Sequence, residues 1–290
     1  MDELEVRRAK VAAVSVAAAL GLPADDAVVL FSSNKLALRL TPGDVLARVT
    51  DGGLREDAAL ELHRARRLAD AGCPVGALLP GVAPQVHERD GFAVTLWTYY
   101  DPATHPVSPR AYADALVRLH AGLRKVDLGA PGMDDRIAEA QEIAARTDLS
   151  PDLGKADREL LRSRLADLRR SITSSGAPEQ LLHGEPHPGN VLGTAHGPVF
   201  IDFETLCRGP VEFDLAHVPE AVSEHYPGID HELLAHCRQL VLAMIAAWRW
   251  DFGDQFPNRG YWRHALLRAL REGLSWPAPP GTVPGRLEAP

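Results

Sequence analysis

Apolar and polar positions divide the chain into a strand-patterned first third and a helical remainder. Between residues 28 and 50, three runs read as strands: Val28-Val29-Leu30-Phe31, Lys35-Leu36-Ala37-Leu38-Arg39-Leu40 and Val45-Leu46-Ala47-Arg48-Val49. Thr41-Pro42-Gly43-Asp44 is a turn by composition. Ser32-Ser33-Asn34 breaks the first hairpin. A small polar turn there either offers backbone N–H groups to a phosphate or only joins two strands, and on this stretch alone the plain turn is the simpler reading. Leu54, Ala58, Leu62, Ala65 and Leu68 recur at helical spacing. Glu61 leans toward that stripe, whereas Arg55, Glu56, Asp57, Arg64, Arg66, Arg67 and Asp70 largely cover other faces. A carboxylate at the edge of an apolar stripe either reaches solvent or has a cation beside it.

Gly91 to Tyr100 is a β-rich run that ends at Asp101-Pro102. Ser108-Pro109 then reads as an N-cap with proline at the first helical position. Tyr112, Leu116, Leu119 and Leu123 follow at helical spacing, as do Leu161, Leu165, Leu168 and Ile172. His120 reads as a packed, hydrogen-bonded histidine. Residues 11–22 read as the end of a first helix, and residues 230–250 and 259–273 as two more. Asp251 and Asp254 read as surface charge. The stretch 276–290 is rich in proline and glycine and reads as extended or disordered.

Candidate chemistry is concentrated in Leu182-His183-Gly184-Glu185-Pro186-His187-Pro188-Gly189-Asn190-Val191-Leu192 and in Val199-Phe200-Ile201-Asp202-Phe203-Glu204. Pro186 and Pro188 fix φ and remove donors, so the first segment is a stiff loop. Mg²⁺ prefers oxygen ligands, usually one or two carboxylates with phosphate oxygens and water. Asp202 and the side-chain oxygen of Asn190 suit that demand, and Glu185 is a third acidic group able to orient a hydroxyl.

The segment His183 to Asn190 resembles the H-G-D-x-H-x-x-N catalytic loop of the aminoglycoside phosphotransferase and choline kinase superfamily. Ile201-Asp202-Phe203-Glu204 resembles that family's metal segment. Gly209-Pro210 with Asp214-Leu215-Ala216 resembles the stretch that follows it. The resemblance implies an α+β, two-lobed, protein-kinase-like fold. Its small antiparallel-sheet lobe would cover residues 1–100, its helical lobe residues 101–275, and the tail residues 276–290. It implies transfer of the γ-phosphoryl group of ATP or GTP to a hydroxyl of a small molecule. Asn190 and Asp202 would hold Mg²⁺, Arg48 would bind phosphate, and Glu61 would orient Arg48. Ser33 and Asn34 would lie in the phosphate-facing turn, and backbone groups around Trp97 and Tyr99 would meet the purine. Glu185 would position the acceptor hydroxyl and take its proton, while His183, His187 and Asp214 would brace the loop. An aminoglycoside or other antibiotic is the acceptor suggested by the family name; no residue encodes it.

One position departs from the family pattern: Glu185 stands where aspartate is usual. A carboxylate one methylene longer either works in a pocket shaped for it or marks a weak or inactive nucleotide-binding pseudokinase. A third reading is a metal-dependent hydrolase with zinc on His183 and His187. They have the i, i+4 spacing of a helical zinc motif, but two prolines argue against a helix and no cysteine or carboxylate set completes a tetrahedron.

Composition narrows the class further. The 290 residues carry a net charge of −8 and are 46% hydrophobic, which suits a globular chain and does not suggest a nucleic-acid-binding surface. Three cysteines without metal spacing read as reduced thiols in a cytoplasmic protein. The apolar run 11–22 is too short to cross a bilayer, and the acidic start is unlike a signal peptide. There is no G-x-x-x-x-G-K-[ST] segment, which disfavours a P-loop enzyme. The expected partners are therefore a nucleoside triphosphate and a small hydroxylated acceptor, with neither nucleic acid nor membrane.

Overall fold

The structure, a computed structural model, describes residues 1–32, 35–103, 105–274 and 276–277. Its strands are β1 (Ala24–Ser32), β2 (Leu36–Pro42), β3 (Val45–Asp51), β4 (His87–Arg89), β5 (Phe92–Thr98), β6 (Gln180–Leu182), β7 (Val191–Thr194), β8 (Gly197–Phe200) and β9 (Cys207–Gly209). Its helices are α1 (Glu3–Ala19), α2 (Arg55–Asp70), α3 (Pro109–Leu123), α4 (Met133–Ala145), α5 (Lys155–Ser174), α6 (Val211–Leu215), α7 (Glu220–Ser223), α8 (His231–Trp250) and α9 (Arg259–Glu272). They form two compact units: Met1–Asp127 with Asn190–Glu204, and Leu128–Gly189 with the chain from Thr205 on.

In the first unit, five antiparallel strands form a sheet of order β1-β2-β3-β5-β4. Alternation decides its faces. Leu36, Leu38 and Leu40 of β2, Val45, Ala47 and Val49 of β3, and Val94 and Leu96 of β5 bury against Ala9, Ala12, Ala13, Val16 and Ala17 of α1. The small side chains of α1 let that helix lie close to the branched sheet surface. Asp2 starts it with a capping box, accepting from Glu5 N at 2.8 Å. The opposite sheet face carries the intervening residues, among them Arg39, Arg48 and Thr95. β7 and β8 form a separate hairpin in this unit. Phe200, at its end, is fully buried, bridges in parallel to Val75 and meets the Tyr112 ring of α3 at 5.9 Å between centroids.

The second unit buries Ile137, Ala140 and Ala144 of α4, Leu161, Leu165 and Ile172 of α5, and an apolar face of α8 and α9 in one core. Ser108 Oγ caps α3 of the first unit, and Asp230 Oδ1 caps α8 by accepting from Glu232 N and Leu233 N, both at 3.0 Å. Asp254 differs from its sequence expectation. It is not surface charge but pairs with Arg249 Nη1 at 2.8 Å, its side chain only 10% exposed, because α8 carries Arg249 into a site where it needs a counter-ion. Of the tail, residues 278–290 lie outside the described residues. Cys73, Cys207 and Cys237 are buried and not disulfide-bonded, and no helix among the described residues is long and apolar enough to cross a membrane.

Removing a fully buried aromatic that anchors the β7–β8 hairpin loses both transfer energy and packing. Phe200→Ala is expected to cost about 3–5 kcal/mol, read as a lower denaturant midpoint with an unchanged slope.

Candidate functional site

Strand register builds the first cluster. Ala37 of β2 lies opposite Arg48 of β3, and Arg48 lies opposite Thr95 of β5. Lys35, two residues before Ala37, is therefore a diagonal neighbour of Arg48 on the same sheet face. α2 presents Glu61 to both cations. Glu61 is 3% exposed. Its Oε2 accepts from Lys35 Nζ at 2.8 Å, and its Oε1 pairs with Arg48 Nη1. Burial lowers the Lys35 pKa, an effect that Glu61 opposes and Arg48 adds to.

The hairpin brings the metal-type residues to this place. Val191 of β7 pairs with Phe200 of β8, so Asn190 and Ile201 flank its open end, and Ile201 N donates to Asn190 O at 3.0 Å. Asp202 follows directly. Its Oδ1 is 3.4 Å from Arg48 Nη2 and 3.8 Å from Lys35 Nζ, and Lys35 also pairs with Glu204. Asp202 has φ +68°, a left-handed backbone that costs a non-glycine residue about 1–2 kcal/mol. The turn after it is held by Arg64 of α2, whose Nη1 donates to Phe203 O at 2.8 Å and Glu204 O at 2.9 Å.

One oxygen from each of Glu61, Asp202 and Glu204 lies within 4.8 Å of the others, the one such metal-capable group among the described residues. An all-oxygen set of carboxylates fits a hard divalent cation. Three carboxylates face two cations, and the Asp202 and Glu204 side chains remain 33% and 37% exposed, so both keep surface to offer a ligand. His183, Glu185 and His187 form no such group.

In the second unit, the loop after β6 is clamped by its backbone. Asp214 of α6 is fully buried. Its Oδ2 accepts from His183 N at 2.9 Å and its Oδ1 from Gly184 N at 2.7 Å. Gly184 has φ +91°, and a Cβ there would lie 1.9 Å from Thr205 O. His183 is buried, with Thr205 Oγ1 donating to its carbonyl at 3.1 Å. His187 is exposed, and its Nδ1 accepts from Gly189 N at 3.0 Å. Glu185 pairs with Arg136 Nη2 of α4. Burial, the largest single influence, pushes the Glu185 carboxyl up, but Arg136 and the neighbouring imidazoles outweigh it and leave it below the usual carboxylate range.

The remaining expected positions fall as follows. Trp97 is buried, with Nε1–H donating to Thr95 Oγ1 at 2.9 Å. The Tyr99 ring lies 4.3 Å from the Arg39 guanidinium. Ser33 and Asn34 lie outside the described residues. Sequence reasoning did not find Lys35 or Arg136 as site residues, placed Glu204 in the metal-type segment without giving it a role, and set Arg64 on an outer face. Arg64 is instead 5% exposed, because it stands three residues after Glu61 and so shares its helix face. Arg136 could have been found from the stripe Met133, Ile137, Ala140 and Ala144, to which it is adjacent.

Burial also lowers the pKa of His217, one turn beyond Asp214, to about 4. The unfolded chain then binds a proton between pH 6.5 and 4 that the folded protein refuses, so this group removes stability as pH falls through that window. His217→Gln is expected to flatten the loss of unfolding midpoint over that range, measured by denaturant titration at several pH values; an unchanged slope would refute a neutral buried imidazole.

No curated protein matches the chain by sequence. Amicoumacin kinase hAmiN, solved with AMP-PNP, Ca²⁺ and Ami, is 12% identical, with a TM-score of 0.67 over 94% of this chain and 97% of that one. The GDP complex of wild-type aminoglycoside 2′-phosphotransferase-IIIa is 14% identical, with a TM-score of 0.67 over 94% and 98%. Choline kinase LicA from Streptococcus pneumoniae is 16% identical, with a TM-score of 0.60 over 89% and 97%. At these identities the likeness establishes the fold, which is α+β and protein-kinase-like. The family model of the phosphotransferase enzymes matches residues 30–240, and the chain belongs to the phosphotransferase enzyme family.

Proposed function

We propose that the protein transfers the γ-phosphoryl group of ATP or GTP to a hydroxyl of a small molecule. The observation that carries this reading is the convergence of Arg48, Lys35, Glu61, Asp202 and Glu204 at the open end of the hairpin that also presents Asn190. Phosphoryl transfer through a loose transition state depends mainly on positioning and charge stabilisation, and this cluster offers both signs of charge. Asp202, Asn190 and Glu204 would hold Mg²⁺, which when bound neutralises phosphate charge. Arg48 binds phosphate and Glu61 keeps its fork in place. Lys35, already partly desolvated, is a second phosphate donor. Trp97 and Tyr99 mark the strand end at which a purine edge would be read.

Glu185 takes the role of orienting the acceptor hydroxyl and receiving its proton. An ionised carboxylate is the form that role needs. His183, His187 and Asp214 hold the loop that carries it. The nucleotide belongs to the lobe over residues 1–100 and the acceptor to the lobe over residues 101–275. Proteins of this fold include kinases of amicoumacin, aminoglycosides and choline, so antibiotics and small amino alcohols are the first acceptors to screen.

Titration calorimetry with the full chain tests the reading. The wild type is expected to bind Mg·ATP or Mg·GTP in a metal-dependent way, and Asp202→Ala to lose that dependence; failure to bind either nucleotide would remove the central claim. In the same titration Lys35→Met is expected to weaken nucleotide binding about tenfold, the loss of one charge-assisted hydrogen bond. Unchanged affinity would restrict Lys35 to supporting Glu61. Metal-dependent binding without transfer to any acceptor or to water would instead favour the pseudokinase.

A further inference from the structure

We propose that Arg136 is a positioning residue that sets where the Glu185 carboxylate stands, so that the pair rather than Glu185 alone presents the acceptor-facing oxygen. The inference rests on the phosphotransfer reading above. One guanidinium reaches two consecutive residues of the loop. Its Nη1 donates to Gly184 O at 3.0 Å, and its Nη2 pairs with Glu185 Oε1. Arginine's planar fork makes such a grip directional, which a lysine ammonium cannot reproduce.

The fork itself is fixed. Arg136 lies on α4 beside the buried stripe Met133, Ile137, Ala140 and Ala144, its side chain is 11% exposed, and its guanidinium carbon lies 5.6 Å from the centre of the Trp248 ring of α8. The loop backbone is fixed as well, by Asp214 on the N–H groups of His183 and Gly184. With the loop backbone fixed, the side-chain torsions of Glu185 remain to be set, and the contact to Arg136 restricts them. An aspartate at residue 185 is one methylene shorter and would fall short of the fork. The charged or titratable groups that act on the Glu185 carboxyl include Arg136 of α4, His217 after α6, His187 of the same loop, Arg249 of α8 and Cys207 of β9. Of these, Arg136 makes a direct ion pair with it.

The test has two arms on the full chain. In the first, glutamate is labelled at its carboxyl carbon, Glu185→Gln assigns the signal, and NMR follows its titration. The midpoint is expected to move to higher pH in Arg136→Met and to stay low in Arg136→Lys, which keeps the charge. In the second arm, nucleotide hydrolysis with water as acceptor is measured. Arg136→Met is expected to lower kcat at least about tenfold with the nucleotide KM unchanged, and Arg136→Lys to lower it too, because charge without the fork does not position. In a Glu185→Asp background the same Arg136→Met change is expected to cost under about threefold, the signature of coupled neighbours.

Equal fold losses in both backgrounds, with an unmoved titration midpoint, would overturn the proposal and leave Arg136 as packing. Should Arg136→Met fail to fold, Arg136→Lys decides, and an unchanged kcat there would overturn the positioning role. A wild type that turns over no nucleotide counts against the phosphotransfer reading, while the titration arm still decides whether Arg136 holds Glu185.

Discussion

A buried carboxylate governs the first unit. Glu61 is almost wholly removed from water, and a desolvated ion without a counter-charge costs several kcal/mol. The sheet must therefore bring cations to it. It does so through register: with Ala37 opposite Arg48, the two basic side chains that face Glu61, one from β3 and one from the residue just before β2, stand at diagonal positions. The same cations reach Asp202, so the placement of the exposed carboxylates depends on the buried one. A one-residue slip of β3 against β2 would turn Arg48 into the α1 core and Val45, Ala47 and Val49 out of it, which makes the apolar face the guarantor of the charged one.

Two left-handed positions lie in the candidate site. Asp202 adopts a left-handed backbone and Gly184 a conformation open only to glycine. Each is over-determined by its surroundings. Asp202 lies between the hairpin end and a turn gripped by Arg64. Gly184 is held by Asp214 on one side and backed by Thr205 O on the other. Left-handed residues persist only when neighbours fix them, and here the fixing groups are buried ions whose own placement comes from helix packing.

What could be read from the sequence divides along the same physical line. The Arg48–Glu61 pair was legible because an acidic residue beside an apolar stripe needs an explanation, and family likeness supplied the partner. The sheet, α2, α3, α8 and α9 were legible from period and caps. Lys35, Arg64 and Arg136 were not. Long basic side chains pattern as surface because their stems are flexible and their heads are charged, and nothing local distinguishes one that folds inward onto a carbonyl or carboxylate far along the chain. Arg64 reaches residues 139 and 140 positions away, a contact that only tertiary structure creates. Asp254 was misread for the same reason, since its partner Arg249 is in turn set by α8 packing. The turn at Ser33 and Asn34 lies outside the described residues, so the phosphate reading of that segment rests on sequence.

Glutamate at position 185 is the point where sequence and structure inform each other most. On sequence alone, the longer side chain allowed an adapted site or a lost one, and the intact metal positions favoured the adapted one. Glu185 is anchored by an arginine that is itself packed and that also holds the preceding carbonyl. Holding a carboxylate ionised weakens it as a base but improves it as a fixed hydrogen-bond acceptor. In a reaction whose transition state asks for little proton transfer before bond cleavage to the leaving group, position is the property worth keeping. Under the proposed function, the extra methylene and the arginine act together, with length supplied by one residue and direction by the other.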